Sequence, residues 1–131
     1  MPVVSDYEIL IGDSNVTIGD NSNESGFTKS FNTGGRSTAK PAFISFMVKG
    51  MTVTNENADV FVNDTKVGVL FNNNGGNTNQ WQTQTVALSS STLNSGNNVL
   101  RVMPVTNPTN ASDDFDNYVI RNVICHFPQS A

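Results

Sequence analysis

The sequence predicts an all-β protein, an antiparallel two-sheet β-sandwich of jelly-roll type. Three observations predict it. Apolar residues alternate with polar ones at a period of two, the segments that do so are short, and turns rich in asparagine and glycine separate them. Helical periodicity is nearly absent: only Ser89 to Ser95 suits a single turn, which Gly96-Asn97 would end. A chain of 131 residues suits one domain, residues 1–131, because a domain of this size buries roughly two thirds of the surface its unfolded chain exposes and so closes one core.

The elements follow in order. Tyr7 to Ile11 and Asn15 to Ile18 are short strand candidates, and Phe27 to Phe31 is a third, bounded by the turn-rich stretches Asp20 to Gly26 and Asn32 to Thr38. Stronger patterns occupy Ala42 to Val53, Ala58 to Val62 and Lys66 to Phe71. Alternation places Ile44, Phe46 and Val48 on one face of the first, Val60 and Val62 on one face of the second, and Val67 and Val69 on one face of the third; these are the expected core. Asn63-Asp64 suits a tight hairpin, and Asn72 to Asn79 a longer exposed loop. Gln80 to Leu88, Asn98 to Met103 and Tyr118 to Phe127 complete the set. Ala42 to Val53 reads as covered on both sides, since Phe43, Met47 and Met51 lie opposite Ile44, Phe46 and Val48. The cover is either an N-terminal segment laid across the strand or a second copy of the chain in a homo-oligomer.

Charge narrows the function. A net charge of −4, with seven basic residues scattered along the chain, speaks against nucleic acid, whose affinity comes from Lys and Arg neutralising phosphates. No apolar run approaches the ~20 residues that span a bilayer, so no membrane insertion is expected. The N-terminus Met1-Pro2-Val3-Val4-Ser5-Asp6 lacks a signal-peptide pattern, and the single Cys125 rules out an internal disulfide. These features suit a cytoplasmic protein, or equally a domain excised from a secreted one. The polar character rests on Asn, Ser, Thr, Gly and Gln, which donate and accept hydrogen bonds to uncharged hydroxylated ligands.

Val60-Phe61-Val62-Asn63 with Val67-Gly68-Val69-Leu70, Trp81 leading into Val86-Ala87-Leu88, the stretch Leu93-Asn94-Ser95-Gly96-Asn97-Asn98-Val99-Leu100-Arg101-Val102, and Asp114-Phe115 before the last strand resemble the strand order of galactose-binding-like jelly-roll domains. Many carbohydrate-binding modules share that fold. The resemblance covers the C-terminal half and rests on core and turn positions, so it implies a fold more than a ligand. With the composition, it makes a non-catalytic, lectin-like module that binds a glycan or polysaccharide the expected function. The N-terminal half departs from the family pattern, so metal ligands that the family would draw from N-terminal strands are not assigned to residues of this chain.

Two constellations carry chemistry. Asp113, Asp114, Asp116 and Asn117 gather hard oxygen donors on one tip, which suits Ca²⁺ with its six to eight oxygen ligands; the same carboxylates also suit turn-capping and ion pairs with Arg101 or Arg121. Asp13, Asp20, Asn21 and Asn23 form a lesser cluster. Trp81, flanked by Gln80 and Gln82 and preceded by Asn77 and Asn79, suits a sugar contact in which the indole meets the apolar face of a ring and the amides take hydroxyls; a core role is the commoner one for a Trp at a strand start. Tyr7 and Tyr118 pose the same choice.

Catalysis has little support. Cys125 and His126 are strand neighbours that point to opposite faces, and one His with one Cys builds no zinc site. The tip carboxylates have no partner acid that stands out across a cleft, as glycoside hydrolysis requires. Gly34-Gly35 and Gly75-Gly76 follow no phosphate-loop pattern. Two classes compete: a sugar-binding module with or without Ca²⁺, and a self-associating structural subunit without a small ligand.

Overall fold

The computed structural model describes residues 3–37, 40–53, 55–73, 75–107 and 115–130, and over them the regular structure is all strand. In chain order the strands are β1 (Val3–Ile11), β2 (Val16–Ile18), β3 (Phe27–Asn32), β4 (Ala42–Lys49), β5 (Ala58–Val62), β6 (Thr65–Leu70), β7 (Gln82–Leu88), β8 (Asn97–Val102) and β9 (Tyr118–Ser130). They form two antiparallel sheets. One runs β1-β9-β4-β7, with β2 pairing the first residues of β9 beside β1; the other runs β3-β8-β5-β6. Ser89 to Thr92 closes one hydrogen-bonded turn, Thr92 N donating to Ser89 O at 3.2 Å, and no helix follows.

The core lies between the sheets. Ile44, Phe46 and Val48 of β4 meet Val60 and Val62 of β5 and Leu100 and Val102 of β8, all buried in one cluster. The expected core of β4 and β5 is therefore observed. That of β6 is kept at Val67 and displaced by one residue after it: Gly68 stands opposite Val60 and Leu70 opposite Ala58, so those two face inward, while Val69 stands beside Asp59 and is half-buried. Gly68 is what permits it, since a Cβ there would lie 2.9 Å from the Val86 side chain. Val67, beside the register shift at Val60 and Phe61, is half-buried against the core.

Local chemistry sets the strand ends. Asn63 and Asp64 have φ of 52° and 66° between Val62 and Thr65, the backbone of a two-residue hairpin whose twist matches its strands. β4 stops at Lys49, short of the expected Val53, because Gly50 takes φ of 96° and turns the chain. Met51 is thereby carried into the core, at 2% exposure, instead of continuing the outer row of Phe43 and Met47. β1 extends to Val3 and pairs edge-on with β9, so no N-terminal segment crosses the outer face of β4 among the described residues.

The second sheet is tied by a buried amide. Asn98 Oδ1 accepts from Asn94 N at 2.7 Å and Asn63 Nδ2 at 2.9 Å, while its Nδ2 donates to Thr33 Oγ1 at 2.8 Å and Gly96 O at 3.0 Å. The β5–β6 hairpin, β8 and the chain after β3 are thus held at one point.

Candidate functional site

The two faces of the five-stranded sheet differ in chemistry. Strand registry assigns the outer one: Tyr7 and Phe43 flank His126, Ile9 and Ser45 flank Ile124, and Met47 stands between Arg121 and Thr83. Tyr7, Ile9 and Phe43 are 60%, 57% and 43% exposed, an apolar area left open on a sheet whose other side is saturated. Phe43 and His126 stack with ring centres 4.5 Å apart and planes 15° apart. Ser45 Oγ contacts His126 Nε2 at 3.0 Å. A hollow of about 180 Å³ lies beside that pair, lined by Ser5, Pro41, Phe43, His126, Phe127 and Pro128.

Trp81 sits at the opposite end of this face. It directly precedes β7, where continuing the Val48–Gln82 pairing places it beside Lys49. The ring is half-buried and outside the core cluster. Two cations cover it: Lys49 Nζ lies 4.7 Å and Arg121 Cζ 4.2 Å from the ring centre. Such contacts contribute about 0.5–1 kcal/mol each where solvent reaches them. From Phe43 to Lys49 the face runs roughly 20 Å, six residues at about 3.3 Å each, so one surface has aromatic rings at both ends and Ser45, Thr83 and Thr85 between.

Arg121 reaches this face through a bulge. β9 spends three steps, Ile124 to Arg121, where β4 spends two, Ser45 to Met47, and Asn122 takes φ of 48° with its N–H donating to Gly12 O at 2.8 Å. Uninterrupted alternation from Ile124 would turn Arg121 inward. The extra residue lets Ile120 and Val123 both enter the core and turns Arg121 outward.

The other predicted contact residues meet elsewhere. Asn77, Gln80 and Gln82 line a cleft with Lys49, Thr52, Phe71 and Asn73, but its volume of about 10 Å³ holds about one water and no sugar ring. Gln82 stands on the opposite face of β7 from Trp81. Asn79 donates its N–H to Asn77 Oδ1 at 2.8 Å, shaping the loop. Larger furrows of about 250 and 270 Å³ follow the seam between β6 and β7, lined mainly by Val, Ala, Gly and Thr. Gln84 bridges that seam, accepting from Phe71 N at 2.6 Å and donating to Phe71 O at 3.0 Å.

At the acidic tip, Asp113 and Asp114 lie outside the described residues. Asp116 is buried and its Oδ2 accepts from Val53 N at 3.0 Å and Asn72 Nδ2 at 3.4 Å, holding two loops against the end of the sandwich. Asn117 Oδ1 accepts from Asp20 N at 2.6 Å. Among the described residues no three His, Cys, Asp or Glu side chains gather as a metal-binding group. In the lesser cluster, Asn21 and Asn23 take positive φ in turns, with Asn21 N donating to Glu24 Oε1 and Asn23 Nδ2 to Thr17 O. Tyr118 is buried and donates its hydroxyl to Met103 O at 2.6 Å; desolvation holds its phenol above the usual range. Tyr7, by contrast, lies on the open face.

Cys125 and His126 occupy opposite faces, as alternation requires. Burial first, and the Glu8 charge second, push the Cys125 thiol up to about 12, so it is a protonated core residue at neutral pH. The Ser45–His126 contact was not legible in the sequence, because it depends on the register of two strands 81 residues apart. Among the described residues no carboxylate contacts His126 to orient it as a base.

Comparison with solved structures places this architecture. A family 35 carbohydrate binding module from Clostridium thermocellum matches with a TM-score of 0.58 and 18% identity, over 93% of this chain and 98% of that one. A family 35 module from an environmental isolate matches at 0.52 and 17% identity, over 100% and 98% of the two chains. The CBM35 of Cellvibrio japonicus Abf62 matches at 0.50 and 15%, over 88% and 92%. The sequence itself matches no family model and no curated protein. The chain thus has the β-sandwich fold of carbohydrate-binding modules, and the fold expected from its C-terminal half extends over most of its length.

Proposed function

We propose that the protein is a non-catalytic carbohydrate-binding module whose contact surface is the outer face of the five-stranded sheet. The observation that carries this reading is the open row of Tyr7, Phe43 and His126 at one end of that face with Trp81 at the other. Aromatic planes take the apolar faces of pyranose rings, and the hydroxyls of Ser45, Thr83 and Thr85 between them suit sugar hydroxyls. Each contact is weak, so an extended polysaccharide that engages both ends gains by multiplicity. Support for a non-catalytic role comes from the protonated Cys125 thiol and the Ser45–His126 pair, which meets no orienting acid among the described residues.

A glycan array read with the native chain, Phe43→Ala and Trp81→Ala tests the proposal. Binding to polysaccharides that both variants weaken, with melting temperature preserved, supports it; binding indifferent to both removes this face from the site. The calcium-assisted form rests on the acidic tip of Asp113, Asp114, Asp116 and Asn117. Chelator should then lower the melting temperature of metal-loaded protein, by an amount set by about 2.7 kcal/mol at a hundredfold excess of metal over its dissociation constant, and Asp114→Asn should reproduce the effect. The exposure of Tyr7, Ile9 and Phe43 favours one second reading, self-association through the same face. Light scattering separates the two: a monomer at micromolar concentration argues against the assembly role.

A further inference from the structure

We propose that Lys49, Arg121 and Trp81 form an anion subsite on this face, so that the chain prefers polysaccharides carrying carboxylate or sulfate groups over neutral ones. The inference rests on the sugar-binding reading and names the ligand class within it. Two cations converge on one indole, at 4.7 and 4.2 Å from its centre, close enough to repel each other within the Debye length of about 10 Å at 0.1 M salt. Neither has a carboxylate within reach among the described residues, where the ion pair is Lys66–Asp59 on the other sheet. Arg121 Nε is buried without a hydrogen-bond partner. On a chain of net charge −4, the outward residues of β1, β4, β7 and β9 include no Asp or Glu, yet they include both these cations. The bulge at Asn122 is what turns Arg121 to this side. An anionic substituent on a sugar bound beside Trp81, against the two cations that cover its ring, would relieve the repulsion, and the planar guanidinium pairs well with carboxylate or sulfate oxygens.

The test is affinity electrophoresis and calorimetry with alginate against its neutral propylene glycol ester, and dextran sulfate against dextran. The expected result is about tenfold tighter binding of a charged polymer than of its neutral partner, weakened by 0.5 M salt. Lys49→Gln and Arg121→Gln should each lose about tenfold, Lys49→Arg should retain binding, and Lys66→Gln should change nothing. Preference for alginate assigns the carboxylate, and preference for dextran sulfate assigns the sulfate; either supports the proposal. Should Arg121→Gln melt early, the Lys49 pair of variants decides alone. Equal affinity for charged and neutral polymers, or charged binding that Lys49→Gln leaves intact, overturns the anion subsite while the sugar-binding reading stands. Absence of binding to any glycan on the array overturns both.

Discussion

The inner and outer faces of the five-stranded sheet are made by the same strands and follow opposite rules. Inward, β4 presents Ile44, Phe46 and Val48, each 3% exposed or less; outward, it presents Phe43, Ser45, Met47 and Lys49, and the open end of that row leaves Phe43 at 43%. The inner set is wholly apolar and buried, as stability requires. The outer set combines aromatic planes, hydroxyls and cations, a mixture that adds little to a core and suits a ligand. One strand can therefore carry stability and recognition without conflict, since its period of two keeps them on separate sides.

The largest expected effect breaks the inner face alone. Phe46→Ala should cost about 3–5 kcal/mol in urea unfolding, because a fully buried ring leaves a cavity. Phe43→Ala, three residues away and therefore on the opposite face, should cost under about 1 kcal/mol. Equal costs would erase the distinction between the faces. Next in size is Asn98→Ala in the second sheet, expected to lose roughly 1–3 kcal/mol by stranding the partners of a buried amide, read by the same unfolding curves.

Alkaline pH gives a graded loss. The Cys125 thiol has a folded value raised to about 12 from an ordinary 9.0, so the native state keeps a proton that the unfolded state releases. The contribution is complete below pH 9 and disappears as pH rises from 9 towards 12. Urea midpoints should fall over that window, and Cys125→Ala should reduce the slope. The smallest effect is chemical: Cys125 should resist a thiol reagent in the native protein at pH 8 and react once unfolded, because its sulfur is buried.

Much of the sandwich was legible because it rests on local signals. The period-two rows of β4 and β5, the Asn63-Asp64 turn and the long last strand all follow from neighbours in sequence. Val67 packs against the core as expected, but Val69 does not, because on an edge strand the register shift beside Val67 gives the inward positions after it to Gly68 and Leu70. β4 ends short of Val53 because Gly50, inside the apolar run, takes a positive φ that apolar patterning does not signal. Of the site, Trp81 stood out by composition, but its companions did not. Lys49 becomes its neighbour only through the β4–β7 register, and Arg121 only through a bulge that alternation cannot anticipate. The amides of Gln82, Asn77 and Gln80, adjacent in sequence, belong to a cleft with room for about one water.

The most direct test of the outer face as the sugar surface is backbone amide NMR during titration with a soluble oligosaccharide chosen from the glycan array. Shift changes should concentrate at Tyr7, Phe43, Ser45, Arg121 and His126 and at the Trp81 indole, with the β6–β7 seam and the loop of residues 72–79 nearly unmoved. Changes confined to Val67, Val69 and Phe71 along that seam, or to Asp116 and Asn117 at the acidic tip, would contradict it.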